Sequence, residues 1–167
     1  MNFQNLIEKG MEWVPPRVVA GNPFSLTCTF TPPATDEEIT RAWEGLKLPA
    51  DLVAMWKSFG AACLFQDVDY GQWGMRVLSP AESFARTIEQ RESRPNAFAA
   101  DEIVVAEFFG DQDLVVRDVN ALAADRGVLV ALPLDPKEEW YGVGPNMLDF
   151  LANYFAKDGA KYWETTN

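Results

Sequence analysis

Between Leu48 and Leu64 the chain changes its hydrophobic period, and that change limits the folds open to it. Leu52, Met55, Trp56 and Phe59 recur at i, i+3, i+4 and i+7, the apolar stripe of one short helix. Pro49 suits the first helical position, where a missing N–H costs nothing. Asp51 falls in the first turn, on the favourable side of the helix dipole. Gly60 follows the stripe, where a left-handed cap is expected. Beyond Gly60 a short apolar run, Ala61 to Phe65, leaves the helix, and helices are expected mostly before this point and strands mostly after it.

Upstream, residues 3–13 suit a short helix with Phe3, Leu6 and Ile7 on one side, ended by Pro15-Pro16. Phe24 to Phe30 alternates like a strand. Thr35 to Glu38 matches a capping box and opens a helix carrying Ile39, Ala42, Trp43 and Leu46. Downstream, 62–68 and 72–78 read as strands. Ser79 to Glu82 is a second capping box, with proline at the first helical position. The helix that follows faces solvent over most of its surface and ends near Arg94-Pro95. Glu102–Phe109 and Leu114–Val119 flank a Gly110–Asp113 turn, a hairpin pattern. Two more strands are expected, in 127–134 and 139–143. Gly144-Pro145 introduces a last helix with Met147, Leu148, Leu151, Tyr154 and Phe155 on a broad apolar face. The order predicts a single α+β domain with a mostly antiparallel sheet of about five to six strands and helices packed around it. Residues 1–31 read as an N-terminal extension packing on the body, 32–158 as the main domain and 159–167 as a C-terminal tail.

Composition narrows the function. The chain has 167 residues, 48% hydrophobic and 13% aromatic, as a folded globular protein should. Its net charge of −11 disfavours nucleic acid and anionic membrane as partners and is compatible with a basic one. It contains no histidine. That removes the usual general base, every Ser-His or Cys-His nucleophile and all His-containing metal sites. Cys28 and Cys63 do not make a disulfide framework, although the residues alone leave a bridge between them open. There is no apolar run of membrane-spanning length, and the opening residues lack the pattern of a secretory signal, so a cytoplasmic setting is expected.

No catalytic or metal-binding set stands out, and no cofactor is implied. Asp111 and Asp113 flank one turn, and Asp67 and Asp69 another. Neither has the spacing of an EF-hand loop. Such aspartates ordinarily serve turn chemistry; in a binding protein they would form an acidic rim that steers a basic partner. Trp73 and Trp140 lie in strand regions beside Tyr70 and Tyr141. Aromatics beside acids are a common composition at binding hot spots, and packing beneath a loop is the ordinary alternative. Asp67, Asp69, Tyr70, Trp73, Asp111, Asp113, Trp140 and Tyr141 are therefore the candidate partner-binding residues. Gly142-Val143-Gly144-Pro145 leading into a helix is a candidate anion site that no neighbouring base supports.

Several motifs, in order, resemble the SMI1/KNR4 family within the SUKH superfamily. They are Pro33-Ala34-Thr35 before Asp36-Glu37-Glu38-Ile39, then Leu48-Pro49-Ala50-Asp51-Leu52 with Trp56 and Gly60. Gly74 to Pro80 follows, leading into a helix. Ile103 to Phe108, Gly110-Asp111, Leu114 to Asp118, and the helix from Pro145 containing Phe150-Leu151 complete the set. The likeness covers about 32–156. One departure is Phe59-Gly60-Ala61, where the family often has Asn-Gly-Gly. The resemblance implies an α+β fold. It also implies a role as an immunity protein that neutralises a cognate toxin domain, often a nuclease, as bacterial members are thought to do. Eukaryotic members act as regulatory interaction proteins, so a scaffold binding a non-toxin partner is the alternative. No catalytic residues are associated with the family.

Overall fold

Eight antiparallel strands lie side by side in the order in which the chain makes them. They are seen in a computed structural model that describes residues 1–44 and 46–165. The strands are β1 (Arg17–Val18), β2 (Ser25–Phe30), β3 (Ala62–Asp67), β4 (Met75–Val77), β5 (Glu102–Phe108), β6 (Leu114–Asp118), β7 (Val128–Ala131) and β8 (Tyr141–Gly144). The α-helices are α1 (Phe3–Met11), α2 (Asp36–Ala42), α3 (Ala50–Ser58), α4 (Pro80–Ser93) and α5 (Met147–Ala156). The fold is a single α+β domain, with more strands than the five to six expected. Residues 3–30 supply α1, β1 and β2 to the same sheet and core. Trp163 of the C-terminal tail is buried in that core as well.

A meander sends alternate connections to opposite ends of its sheet. The turns 19–24, 68–74, 109–113 and 132–140 gather at one end; α2, α3 and α4 belong to the connections at the other. Alternation along the strands gives the sheet two apolar faces. Leu26, Cys28, Leu64, Val77, Val115 and Val130 belong to the larger core beneath α1, α3 and α5. Val104, Leu114, Val116 and Leu129 face the other way, packed with Phe98 and Trp140. Past the end of the short β4, one edge of β5 lies open, and α4 closes it. Ser83 Oγ donates to the Val104 carbonyl (2.5 Å) and the Val104 N–H donates to Thr87 Oγ1 (2.9 Å), which explains two fully buried polar side chains.

The helix tryptophans are core residues with a polar handle, as their stripes predicted. Trp56 Nε1 donates to the Leu78 carbonyl (2.9 Å) and Trp43 Nε1 to that of Pro80 (3.1 Å), fastening α2 and α3 to the start of α4. The ends of α3 differ from expectation. Pro49 is the extended residue before the helix, and Phe59 leaves it in extended conformation. Gly60 is no left-handed cap. Its N–H donates to the Pro32 carbonyl (2.9 Å), and a Cβ there would lie 2.8 Å from that oxygen, so close backbone approach excludes a side chain. Phe59 is buried between Phe3 and Phe30, with ring centroids 6.4 and 5.3 Å away. The N-terminal segment thus covers the position at which the chain departs from Asn-Gly-Gly.

Asp51 ties these parts together. Its carboxylate accepts from Arg117 Nε (3.0 Å) and Nη2 (3.1 Å) on β6, and from the Met147 N–H (2.8 Å) that opens α5. Arg117 Nη1 donates onward to the Asp118 and Gly127 carbonyls. The Arg117 and Asp51 side chains are only 14% and 16% exposed. Removing one partner of such a pair strands the other, which typically costs about 3–5 kcal/mol. Asp51→Ala should lose about that much in urea unfolding. Arg117→Ala in the same background should add far less than it costs alone, giving a large coupling energy in the double-mutant cycle.

Candidate functional site

The sheet end that collects four turns also collects all eight candidate residues, six of them at two neighbouring turns. Asp67 closes β3, and its buried carboxylate accepts from the N–H groups of Asp69 (2.8 Å), Tyr70 (3.1 Å) and Gln72 (3.2 Å). Burial works against its charge, but the three backbone donors outweigh it and hold the carboxyl below the ordinary aspartate value of 3.8. Asp67 thus builds the turn from a buried position. Asp69 and Tyr70 stand at the tip, Tyr70 74% exposed with its ring edge-on to Phe24 (6.2 Å).

The neighbouring turn is wedged against the first. At Gly110, with φ +87°, a Cβ would fall 2.2 Å from the Gln72 carbonyl oxygen, so only glycine lets the two turns touch. Asp111 is exposed and its Oδ1 accepts from the Asp113 N–H (2.9 Å). Asp113 is buried; burial, followed by repulsion from Asp111, raises its carboxyl above the ordinary value, with Lys161 opposing at 3.7 Å. Lys161 also pairs with Asp111 and lies 4.7 Å from the Phe108 ring centroid and 6.0 Å from that of Trp73. It staples the returning C-terminal tail to both turns.

Trp140 is not part of this surface, correcting its assignment to it. Trp140 is 2% exposed, packed on Phe98 (5.1 Å) with its indole N–H donating to the Asp135 carbonyl (3.0 Å). It fills the smaller core beneath the 132–140 segment, because the strand's alternation turns it away from Tyr141. Tyr141 is half-buried against the larger core. Asp67 and Asp113 are likewise corrected from partner-facing acids to buried turn residues. Asp69, Tyr70 and Asp111 remain exposed, with Trp73 half-buried beside them.

Trp73 lines a cleft of about 380 Å³ whose other walls are the β1–β2 turn, Val19 to Phe24, and Lys157, Asp158 and Ala160 after α5. None of these other walls was a candidate in the sequence. Gly21-Asn22-Pro23 carries a local turn signal, but nothing local announces that the chain returns there after α5.

Charge is distributed unevenly. Lys9, Arg17, Arg41, Lys47, Lys57 and Lys157 are the exposed bases. Every other base is half-buried and bound to protein acceptors. Arg76 pairs with Glu82 and Glu107, and Arg86 with Glu89 and Glu107. Arg91, Arg94 and Arg126 donate to backbone carbonyls. Lys137 is held between Glu102 and Asp118; burial works against its charge, but the two carboxylates outweigh it and raise the ammonium above its ordinary value. Beyond residue 58, Lys157 is the single exposed base among the described residues, while Asp69, Glu89, Glu92, Asp111, Asp125 and Glu138 are among the exposed acids.

The thiols offer little chemistry. Cys28 and Cys63 point to opposite faces of the sheet and both are free. Burial pushes Cys28 up to about 12 and also raises Cys63, so neither is a ready thiolate. The candidate anion site at the start of α5 is filled from within, by Asp51 on the Met147 N–H. Among the described residues no three Cys, Asp or Glu side chains are grouped to hold a metal ion. No protein-family model matches the chain, and no curated protein matches it.

Two outcomes check this placement. Trp140→Ala should cost about 3–5 kcal/mol of stability as a core truncation, whereas Tyr70→Ala should change it by no more than about 0.5 kcal/mol. Asp67→Asn should lower the melting temperature at neutral pH. Because the folded carboxyl lies below the unfolded value, its contribution is complete above 3.8 and fades as pH falls through the folded value. The gap between wild type and variant should therefore close only in strong acid.

Proposed function

We propose that this chain is a cytoplasmic immunity-type protein of the SMI1/KNR4 kind, which does no chemistry and neutralises a cognate toxin domain by covering it with acidic surface. The observation that carries the reading is the charge distribution. Beyond residue 58 every base but Lys157 is consumed internally, while Asp69, Glu89, Glu92, Asp111, Asp125 and Glu138 are left exposed. Such a field repels nucleic acid and anionic lipid and attracts a basic protein. A nuclease must present positive charge where phosphates bind, so it is a natural complement. The lack of histidine in the sequence argues in the same direction, against acid–base or nucleophilic catalysis. Among the described residues no helix is long and apolar enough to cross a membrane.

The experiment is co-expression with the product of the neighbouring reading frame. Growth should be rescued and a complex should co-purify. In stopped-flow mixing the association rate should fall from about 10⁸–10⁹ M⁻¹s⁻¹ at low salt towards about 10⁵–10⁶ M⁻¹s⁻¹ at high salt. Persistent toxicity with no complex would overturn the proposal. Purification with a signalling or housekeeping protein instead would replace it with the scaffold reading.

A further inference from the structure

We infer that the cleft between the β1–β2 turn, Trp73 and the segment after α5 is the anchor socket of the partner interface, and that it takes an apolar or aromatic side chain flanked by basic residues of the partner. The inference rests on the immunity reading for the identity of the partner, and on separate observations for the place.

First, the cleft has aromatic walls. Phe24 and Trp73 are half open to solvent, and Tyr70 stands at the adjoining tip with its ring edge-on to Phe24. Tyrosine and tryptophan in a partly desolvated pocket are the residues that most often dominate binding energy. The Trp73 indole N–H is itself buried and has no acceptor among the described residues, so the ring meets the cleft through its carbon face.

Second, the socket is built before binding. The 68–74 turn is held by three N–H bonds to Asp67, it cannot slide past Gly110, and the tail is stapled by Lys161. Walls that are already ordered lose little entropy when a partner arrives.

Third, charge selects the occupant. Asp158 is exposed on the cleft wall, Asp69 is exposed on the adjoining turn beside Tyr70, and Lys161 nearby is already matched by Asp111 and Asp113. A second copy of this chain would bring another net charge of −11 against these carboxylates, whereas a basic partner meets them favourably. Lys157 is the exception, an exposed base on the cleft wall. Its presence makes the charge argument testable in sign.

The test measures affinity and association rate of the full chain for the product of the neighbouring reading frame. Ala20→Trp, which fills the cleft from an exposed turn position, and Tyr70→Ala should each weaken binding about tenfold or more while leaving the melting temperature unchanged. Leu122→Ala removes an equally exposed apolar side chain at the opposite end of the sheet and should leave binding unaltered. Lys157→Glu should speed association severalfold at low salt, an advantage that vanishes at high salt. A wild type that neither binds nor protects overturns the immunity reading and the socket together. A wild type that binds while Ala20→Trp and Tyr70→Ala bind as well as it does overturns the socket alone. Slower association of Lys157→Glu would overturn the basic character assigned to the partner at this place.

Discussion

Asp51 carries more of the structure than any other side chain. One carboxylate lies in the first turn of α3, accepts the first N–H of α5 and receives a two-nitrogen grip from Arg117 of β6. Two helix N-termini and a guanidinium converge on one negative charge, with most of the water excluded. Each contact is a charge-assisted hydrogen bond, the stronger sort. The arrangement fixes how α3 and α5 lie across the sheet. Through Arg117 it also fixes the loop between β6 and β7, whose carbonyls take the remaining donor. The potential anion site ahead of α5 is thus a structural joint.

The rest of the charge follows a related pattern. The later strands and α4 carry Arg76, Arg86, Arg91 and Arg117, yet these side chains turn inward, to carboxylates or to backbone carbonyls. Arg94 lies near Phe98 and Trp140 while bonding the Leu132 and Asp135 carbonyls, and Arg126 holds those of Lys137 and Trp140. Long connections without regular structure need partners for their backbone groups; here arginine provides them. A consequence is that the surface left over is acidic, and the same bonds that hold the 132–140 segment in place shape the field a partner would meet.

Much of the architecture was legible because it is written in local chemistry. The Ser79–Glu82 box forms with both bonds present, and the β5–β6 hairpin turns at Gly110 to Asp113. The helix stripes with Trp43 and Trp56 face the core. Less legible was β1, two exposed residues after a proline pair that no periodicity marks. The candidate residues divide into exposed and buried ones for a physical reason. Aspartates at turns were read as a rim, but a turn aspartate often has a buried use, and Asp67 and Asp113 have one. Trp140 and Tyr141 are adjacent in sequence and therefore point to opposite faces of a strand. They could never have served one surface together.

The sequence by itself determined the order and kind of the elements, the excess of negative charge and the lack of an imidazole, since each depends on residue identity and short-range spacing. Only the tertiary structure decided which charges remain outside, which end of the sheet collects the turns, and that the segment after α5 closes a cleft with the β1–β2 turn. Those facts arise from contacts between residues far apart in the chain, such as Asp51 with Arg117 and Asp111 with Lys161. No local period encodes them; they exist once eight strands have closed into one meander.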